Sequence, residues 1–277
     1  MSIRRAESPE AIPSKHTRRT RFAGQMLRSI GAVSTVRVLH ARLMGDQSEL
    51  DLEWNSRTKL TQPLHVTSRP CDLWTVREVL YEGSYDLPPA LRQRIDGRPI
   101  VDLGANIGIS AAYFASQYPH SSVLGVEPHP RNFQHLAVNA SRYANIHALQ
   151  AAVAPDHSPI TMTVCGDSEE IYIANRFSAE KGITPTAYVD VVTPQDIDQL
   201  LGNPDLIGLL KVDIEGAERD LFASAAADIL LRKTTVLAIE THERFVPGCE
   251  DSVASAAARN GLTHIGRNDL TDIYSRM

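Results

Sequence analysis

Residues 101–110 read VDLGANIGIS, and this stretch decides the fold. A short apolar run ends around Asp102, and Gly104 and Gly108 follow where a helix could begin. Parallel α/β sheets bind ligands beyond the carboxyl ends of their strands, at the point where the strand order reverses. We therefore expect the first strand of such a sheet to end here, with a ligand lying against the bare backbone of the turn.

The C-terminal region repeats this alternation of short apolar strands and helical segments. The strands are PIVDL (99–103), SSVLGVE (121–127), IHALQAAV (146–153), IGLLKVD (207–213) and TTVLAIE (234–240). Such alternation is typical of a parallel sheet with helices on both faces. LTHIGRNDLTDIYSR (262–276) predicts a closing antiparallel hairpin, and residues 154–186 predict additional strands. The predicted fold class is α/β and Rossmann-like.

Three regions are predicted along the chain. Residues 1–45 form a basic tail and an amphipathic helix, residues 46–97 a hairpin and helical lead-in, and residues 98–277 the ligand-binding domain. The helix carries an apolar stripe of Phe22, Met26, Ile30, Val33, Val36, Leu39 and Leu43. Such a stripe must cover either the domain or a second subunit, so a homodimer through this helix is one expectation.

The composition is that of a globular protein. The chain has 277 residues, 43% hydrophobic and 22% charged. No apolar run approaches the roughly 18 to 20 residues of a membrane span, and the N-terminus lacks a signal-peptide core. We therefore expect no membrane partner and a cytoplasmic location. The three cysteines are odd in number and far apart, which indicates reduced thiols rather than disulfides or a zinc cluster.

Charge is distributed unevenly along the chain. Residues 1–45 carry a net charge of +7 and the remainder −12, within a total of −5. A basic tail can bind nucleic acid, but the acidic body would repel the same partner. We therefore expect no nucleic-acid partner and interpret the tail as solvated.

The glycine turn disfavours one class of cofactor and favours another. A dinucleotide fingerprint needs glycine at the middle position of Gly-x-Gly-x-x-Gly, where this turn has Asn106, so NAD and FAD are not expected. Glu127 ends the second strand about 20 residues later, where an acid can accept both hydroxyls of a ribose. A ligand with a ribose and an amine but no phosphate is S-adenosylmethionine. The missing side chain of Gly104 would leave room for its methionine portion.

Several motifs resemble those of one known family. VDLGANIGISA, GVEPHPRNFQHLAVNA, ALQAAVAP, LLKVDIEGAERDLF and LAIETH occur in the order and spacing of the FkbM-type methyltransferases, a branch of the class I, S-adenosylmethionine-dependent enzymes. VTSRPCDLWTVREVLYEGSYD resembles the lead-in of the same family. The resemblance implies a seven-stranded sheet with one antiparallel strand. It also implies methyl transfer, commonly to a hydroxyl of a small natural product or sugar.

The resemblance further implies which residues hold the cofactor. The methionine portion would contact Asp102, Gly104, Ala105, Asn106 and Gly108. The ribose would bind Glu127, and the adenine would lie between Pro128, Ala151 and Ala152. Tyr85 matches an aromatic position just ahead of the cofactor turn.

A neutral alcohol needs a general base or a metal ion to become a good nucleophile. The fourth and fifth strands end in KVDIEG and IETH, so Asp213, Glu215, Glu240 and His242 are expected to converge on the methyl donor, with Asp213 touching the cofactor. His242, with an ordinary pKa of about 6.5, would be the base, and Asp213 and Glu240 would orient it. A divalent ion such as Mg²⁺ is the less favoured alternative, because hard ions prefer oxygen ligands.

Two other functions stay open. The first is N-methylation of a small molecule, and the second is a non-catalytic subunit that binds S-adenosylmethionine and recruits a partner. The complete set of acids at the strand ends argues against the second. The acceptor pocket is expected to be built by the N-terminal half, residues 154–186 and the loop after His242, which do not identify the acceptor.

Overall fold

The structure is a computed structural model, and it describes residues 35–37, 39–40, 49–52, 59–164, 171–173 and 187–277. The predicted basic tail and most of the apolar-stripe helix lie outside these residues. Residues 35–37 and 39–40 are helical, and Val36 of the stripe is 65% exposed. Cys71 and Cys249 are free thiols. None of the described helices is both long and apolar enough to cross a membrane.

The described elements follow the predicted alternation. The strands are β1 (Glu49–Leu52), β2 (Leu64–Thr67), β3 (Ile100–Leu103), β4 (Val123–Val126), β5 (Ile146–Leu149), β6 (Ala152–Val153), β7 (Ile160–Val164), β8 (Ile171–Ile173), β9 (Ala187–Val189), β10 (Val191–Val192), β11 (Ile207–Val212), β12 (Thr234–Glu240), β13 (Leu262–Asn268) and β14 (Thr271–Arg276). The helices are α1 (Pro70–Arg77), α2 (Pro89–Ile95), α3 (Ile109–Gln117), α4 (Pro130–Ala140), α5 (Pro194–Leu200), α6 (Glu218–Ala223), α7 (Asp228–Leu231) and α8 (Cys249–Arg259). A π-helical turn over Glu78–Glu82 extends α1.

Seven strands form the central sheet in the order β13-β14-β12-β11-β3-β4-β5. The strands from β12 to β5 pair in parallel, and β14 is antiparallel to both of its neighbours. The predicted seven-stranded sheet with one antiparallel strand and a C-terminal hairpin is confirmed. The additional strands expected within residues 154–186 are also present, because β7 pairs with β8 and β9 in a separate sheet.

The strand order reverses at β3. The chain passes from β3 to β4 and β5 on one side, then returns to β11 and β12 on the other. The crevice at the carboxyl end of β3 therefore lies between two loops that diverge, which is where parallel α/β sheets bind their ligands. The VDLGANIGIS turn lies in this crevice, as predicted.

Side chains alternate between the two faces of the sheet and so build two apolar cores. Ile100 and Leu209 pack on one face with α3 and the N-terminal lead-in. Val101, Leu103 and Val212 pack on the other face, against α6 and α7. Because both faces are covered, the strand ends are the polar part of the sheet that remains open to a ligand.

The N-terminal hairpin is attached to the domain close to the glycine turn. β1 and β2 pair antiparallel, which confirms the predicted hairpin. The buried Asn139 side chain of α4 accepts a hydrogen bond from His65 N at 2.7 Å and donates to His65 O and Ile107 O at 2.8 Å each. One amide therefore joins the hairpin, α4 and the turn that follows β3.

Gly104 is required by packing within the protein. A Cβ atom there would lie 1.8 Å from the carbonyl oxygen of Asp213, and the residue has a φ of +75°. The expectation that the missing side chain leaves room for a ligand is therefore wrong. The main chain after β11 occupies that space, and this close approach brings Asp213 to the turn.

We expect Gly104→Ala to lower the free energy of unfolding far more than Gly97→Ala. Gly97 has a similar φ of +81° but open space around its Cβ position. Both variants incur the left-handed strain of about 1 to 2 kcal/mol, and Gly104→Ala adds about 1 to 3 kcal/mol of overpacking. Chemical denaturation of the two variants measures the difference, and equal losses would contradict the packing role.

Candidate functional site

Two adjoining cavities open at the carboxyl ends of the central strands. Cavity A is lined by Gly104, Val126, Glu127, Pro128, Ala151, Ala152, Val153, Asp213, Ile214 and Glu215. Cavity B is lined in part by Glu78, Tyr85, Gly104, Ala105, Asn106, Ser110, Lys211, Asp213, Glu240 and the hairpin turn over 269–271. Gly104 and Asp213 line both cavities, so a single elongated ligand passing between these two residues would reach both.

The cavities separate the predicted cofactor residues into two groups. Glu127, Pro128, Ala151 and Ala152, predicted to hold the adenosine, all line cavity A. Ala105 and Asn106, predicted for the methionine portion, line cavity B, together with Tyr85 and with Glu240 of the predicted catalytic set. The order of the two groups matches the order of the parts of S-adenosylmethionine.

Asp102 and Gly108 line neither cavity. Asp102 is 0% exposed, and Ser110 Oγ donates to its Oδ2 at 2.6 Å. Gly108 is the residue before α3, and a Cβ there would meet Leu136 at 2.9 Å. The expectation that these two residues touch the methionine portion is not met, because both are buried behind the turn and support it from within.

Lys211 is a buried cation beneath the turn. Its Nζ donates to Gly104 O at 2.6 Å and to Leu103 O at 3.3 Å, and it lies 3.0 Å from Asp102 Oδ1. Asp213 Oδ2 is 3.8 Å away. Lys211 therefore pairs chiefly with Asp102, and Asp213 is its more distant acidic partner.

His242 lies behind the acids that follow β11, and it lines neither cavity. Its side chain is 9% exposed, and Nδ1 lies 2.9 Å from Glu218 Oε1. Nε2 lies 3.3 Å from Glu215 Oε2 and 3.7 Å from Asp213 Oδ1. His242, Asp213 and Glu215 therefore lie together, while the predicted convergence of this group and Glu240 on the methyl donor stays a prediction.

The comparison with known proteins identifies the family. The Methyltransferase FkbM domain matches residues 102–256, which is more than half of the chain. The chain belongs to this family. It is accordingly an S-adenosylmethionine-dependent methyltransferase, and the resemblance of the motifs is confirmed.

Two curated relatives illustrate the match to this FkbM chain. Methyltransferase 1 of Beauveria bassiana (strain ARSEF 2860) is 27% identical over 187 residues, covering 60% of this chain and 73% of that protein. The 31-O-demethyl-FK506 methyltransferase FkbM of Streptomyces tacrolimicus is 27% identical over 225 residues, covering 70% of this chain and 82% of its own length. Among solved structures, the Methanococcus jannaschii fibrillarin pre-rRNA processing protein aligns over 83% of both chains, with 12% identity and a TM-score of 0.43.

The acids of the FkbM site perturb one another. Burial raises the pKa of Glu78 to about 8. Burial, together with the charge of Asp213, raises the pKa values of Glu215 and Glu240 to about 7. These acids are therefore partly protonated near neutral pH, and a cationic ligand bound where the two cavities meet would favour their charged forms.

His242 does not have the ordinary pKa that its predicted role as base assumed. Burial by itself lowers the pKa of His242, but the hydrogen bond and charge of Glu218, followed by the charges of Glu215 and Asp213, raise it to about 9. An imidazole with this pKa already carries both protons at neutral pH. His242 is consequently not a ready proton acceptor in the ligand-free protein.

Three parts of the site are not predicted from the sequence. Glu218 is within the KVDIEGAE motif, but a glutamate in the first turn of a helix is normally exposed, and its burial depends on contacts with His242 and Cys249. Glu78 lies in the lead-in, where only the family motif indicated a role. The hairpin turn over 269–271 reaches cavity B because Asn268 donates to Asp86 O at 2.8 Å, and no local signal indicated this.

We expect cofactor affinity to rise with pH through Glu127. Burial raises the pKa of Glu127 to about 7, and the charge of Asp213 adds to the rise. The backbone N–H groups of His129 and Asn106 and the charge of Lys211 lower this pKa, but by less. Ribose hydroxyls would donate to the ionised carboxylate, so binding favours the deprotonated form. Affinity for S-adenosylhomocysteine should therefore increase about tenfold from pH 6 to pH 8 and then level off.

Isothermal titration calorimetry across this pH range measures the effect, and Glu127→Gln is the matched control. The variant should bind S-adenosylhomocysteine more weakly, and its affinity should lose the part of the pH dependence that Glu127 causes. The part caused by titration of the ligand amine should remain in both proteins. If the affinity of Glu127→Gln changes with pH as steeply as that of the unaltered protein, the assignment of the ribose to this residue is wrong.

Proposed function

We propose that the protein transfers the methyl group of S-adenosylmethionine to a hydroxyl oxygen of a small natural product or sugar. The observation that carries this proposal is the junction of the two cavities at Gly104 and Asp213, with Glu240 beside it. A ligand that spans this junction would place its central atoms next to a carboxylate that the acceptor can also reach.

In this arrangement the adenine lies in cavity A between Pro128, Ala151 and Ala152, which are uncharged. The ribose hydroxyls donate to Glu127. Each Glu127 oxygen already accepts one backbone N–H at 2.9 Å, from Asn106 and from His129, and each keeps a second lone pair. Gly104, Ala105 and Asn106 would hold the methionine portion in cavity B, and Asp213 would lie near the sulfonium.

The acceptor enters from cavity B. Its oxygen attacks the methyl carbon in line with the sulfur, so that a C–O bond forms, the C–S bond breaks and the electron pair returns to sulfur. Glu240 accepts the hydroxyl proton, since it lines cavity B alone, whereas Asp213 lies at the junction of both cavities beside the sulfonium. Holding the two reactants in this geometry can remove roughly 7 to 11 kcal/mol of barrier, and the base adds about 10²- to 10⁴-fold.

The walls of cavity B support a small-molecule acceptor. They are formed by the lead-in, through Thr75, Glu78 and Tyr85, and by the hairpin turn over 269–271. The relative from Streptomyces tacrolimicus is by its name a 31-O-demethyl-FK506 methyltransferase, and this favours oxygen as the accepting atom. The second candidate is an amine acceptor, which the excess of acids around cavity B favours.

Transfer of a labelled methyl group tests the proposal. We expect incubation with carbon-13 methyl S-adenosylmethionine and the small-molecule fraction of the producing cell to yield a product whose methyl carbon has the chemical shift of a methyl ether or ester. A methyl shift typical of nitrogen would support the amine acceptor instead. Cofactor binding without any labelled product would favour the non-catalytic alternative.

Glu240→Gln separates the proton acceptor from cofactor binding. The amide cannot accept the proton, so turnover with the identified acceptor should fall about 10²- to 10⁴-fold while S-adenosylhomocysteine affinity changes little. Glu250→Gln, at an exposed position of α8 outside both cavities, is the control and should retain full turnover. Equal rates for the two variants would contradict the role of Glu240.

A further inference from the structure

Asp213, Glu215 and His242 bring three potential metal ligands together at the edge of cavity A. One carboxylate oxygen of each acid and one ring nitrogen of His242 all lie within 4.8 Å of one another. A divalent ion with bonds of about 2.1 Å has ligand atoms about 3 Å apart in neighbouring positions and about 4 Å apart in opposite ones. His242 Nε2 lies 3.3 Å from Glu215 Oε2 and 3.7 Å from Asp213 Oδ1, and both distances are in this range.

The environment of His242 is a second observation that points to an ion. The side chain is nine-tenths buried, its Nδ1 is hydrogen-bonded to Glu218, and its Nε2 faces only the two carboxylates among the described residues. Histidine ligands of metals almost always bind a carboxylate or carbonyl through the other nitrogen, which fixes the ring and the tautomer. Glu218 occupies that outer position.

Glu218 is itself held rigidly. It is 0% exposed, and its Oε1 also accepts from Ile214 N at 3.1 Å. Its Oε2 contacts Cys249 Sγ at 3.8 Å. A fully buried carboxylate is costly unless its partners are fixed, so this arrangement directs Nε2 of His242 to one place, between Asp213 and Glu215.

The backbone at Glu215 supports the same arrangement. Glu215 has a φ of 53°, a left-handed conformation that a non-glycine residue rarely adopts, and Gly216 follows with a φ of 97°. Strain of this kind persists where the surrounding structure demands it, often at functional sites. In this loop the Glu215 carboxylate lies 3.3 Å from His242 Nε2.

We propose that Asp213, Glu215 and His242 bind one divalent cation, with Glu218 as the residue that positions His242. Two carboxylates and one imidazole suit Mn²⁺ better than Mg²⁺, because Mg²⁺ prefers oxygen ligands alone. Binding displaces the Nε2 proton of His242. The inference rests on the proposed methyl-transfer site, because Asp213 belongs to both sites.

Manganese titration tests the site without reference to turnover. We expect electron paramagnetic resonance to show saturable binding of one Mn²⁺ per chain to the whole protein without cofactor. Electron spin-echo measurements should show the coupling of a directly bound imidazole nitrogen. This signature needs no variant, and its absence from saturably bound Mn²⁺ would overturn the proposal.

Variants then assign the ligands. Asp213→Asn and His242→Ala should each weaken Mn²⁺ binding at least about tenfold, and His242→Ala should remove the nitrogen coupling. Glu218→Gln should weaken binding about 10- to 100-fold and keep the coupling. His264→Ala is the matched control, because His264 pairs with Asp272 on the C-terminal hairpin, and it should bind as the unaltered protein does. Melting curves establish that each variant is folded.

Two further results would overturn this inference. The first is no saturable Mn²⁺ binding, and the second is equal binding in the variants and the unaltered protein, which would mean an adventitious ion only. Calorimetry with S-adenosylhomocysteine in EDTA keeps the two proposals distinguishable. If cofactor binds and label is transferred in EDTA while Mn²⁺ does not bind, the proposed function stands and the metal site does not.

Discussion

The contacts of the buried Lys211 ammonium group hold the candidate site together. This group lies under the turn that follows β3, bonded to the Gly104 and Leu103 carbonyl oxygens and paired with Asp102. Burial by itself lowers the pKa of Lys211, but Asp102, Tyr85 and Asp213 raise it above its ordinary value, so the group stays charged. Removing one partner of a buried ion pair costs about 3 to 5 kcal/mol, so this contact fixes the turn and the ends of β3 and β11 together.

The shape of the site follows from the way the ends of β3 and β11 are joined. Asp213 N donates to Leu103 O at 3.0 Å, and the Asp213 carbonyl takes the space beside Gly104. The turn is joined to β4 as well, because Gly104 N and Ala105 N both donate to Val126 O. Asp213 therefore belongs to both cavities for a structural reason, and acids can gather beside it because a fixed cation lies below.

The parts of the site predicted correctly are those that depend on position along the chain. Strand ends of a parallel sheet share one edge, so Glu127, Ala151, Asp213 and Glu240 could be placed together from their order alone. The errors concern side chains whose environment comes from distant segments. Asp102 is turned inward by Lys211, 109 residues later in the sequence, and His242 is buried by Glu218. Local patterns of hydrophobicity carry no information about such pairings.

A crystal structure of the complex with S-adenosylhomocysteine is the decisive measurement. We expect the ribose hydroxyls on Glu127, the adenine between Pro128 and Ala152, and the sulfur at the junction of the cavities beside Asp213. Asp102 should remain paired with Lys211 and should not touch the ligand. A ligand bound elsewhere, or one whose sulfur points away from Glu240, would contradict this arrangement.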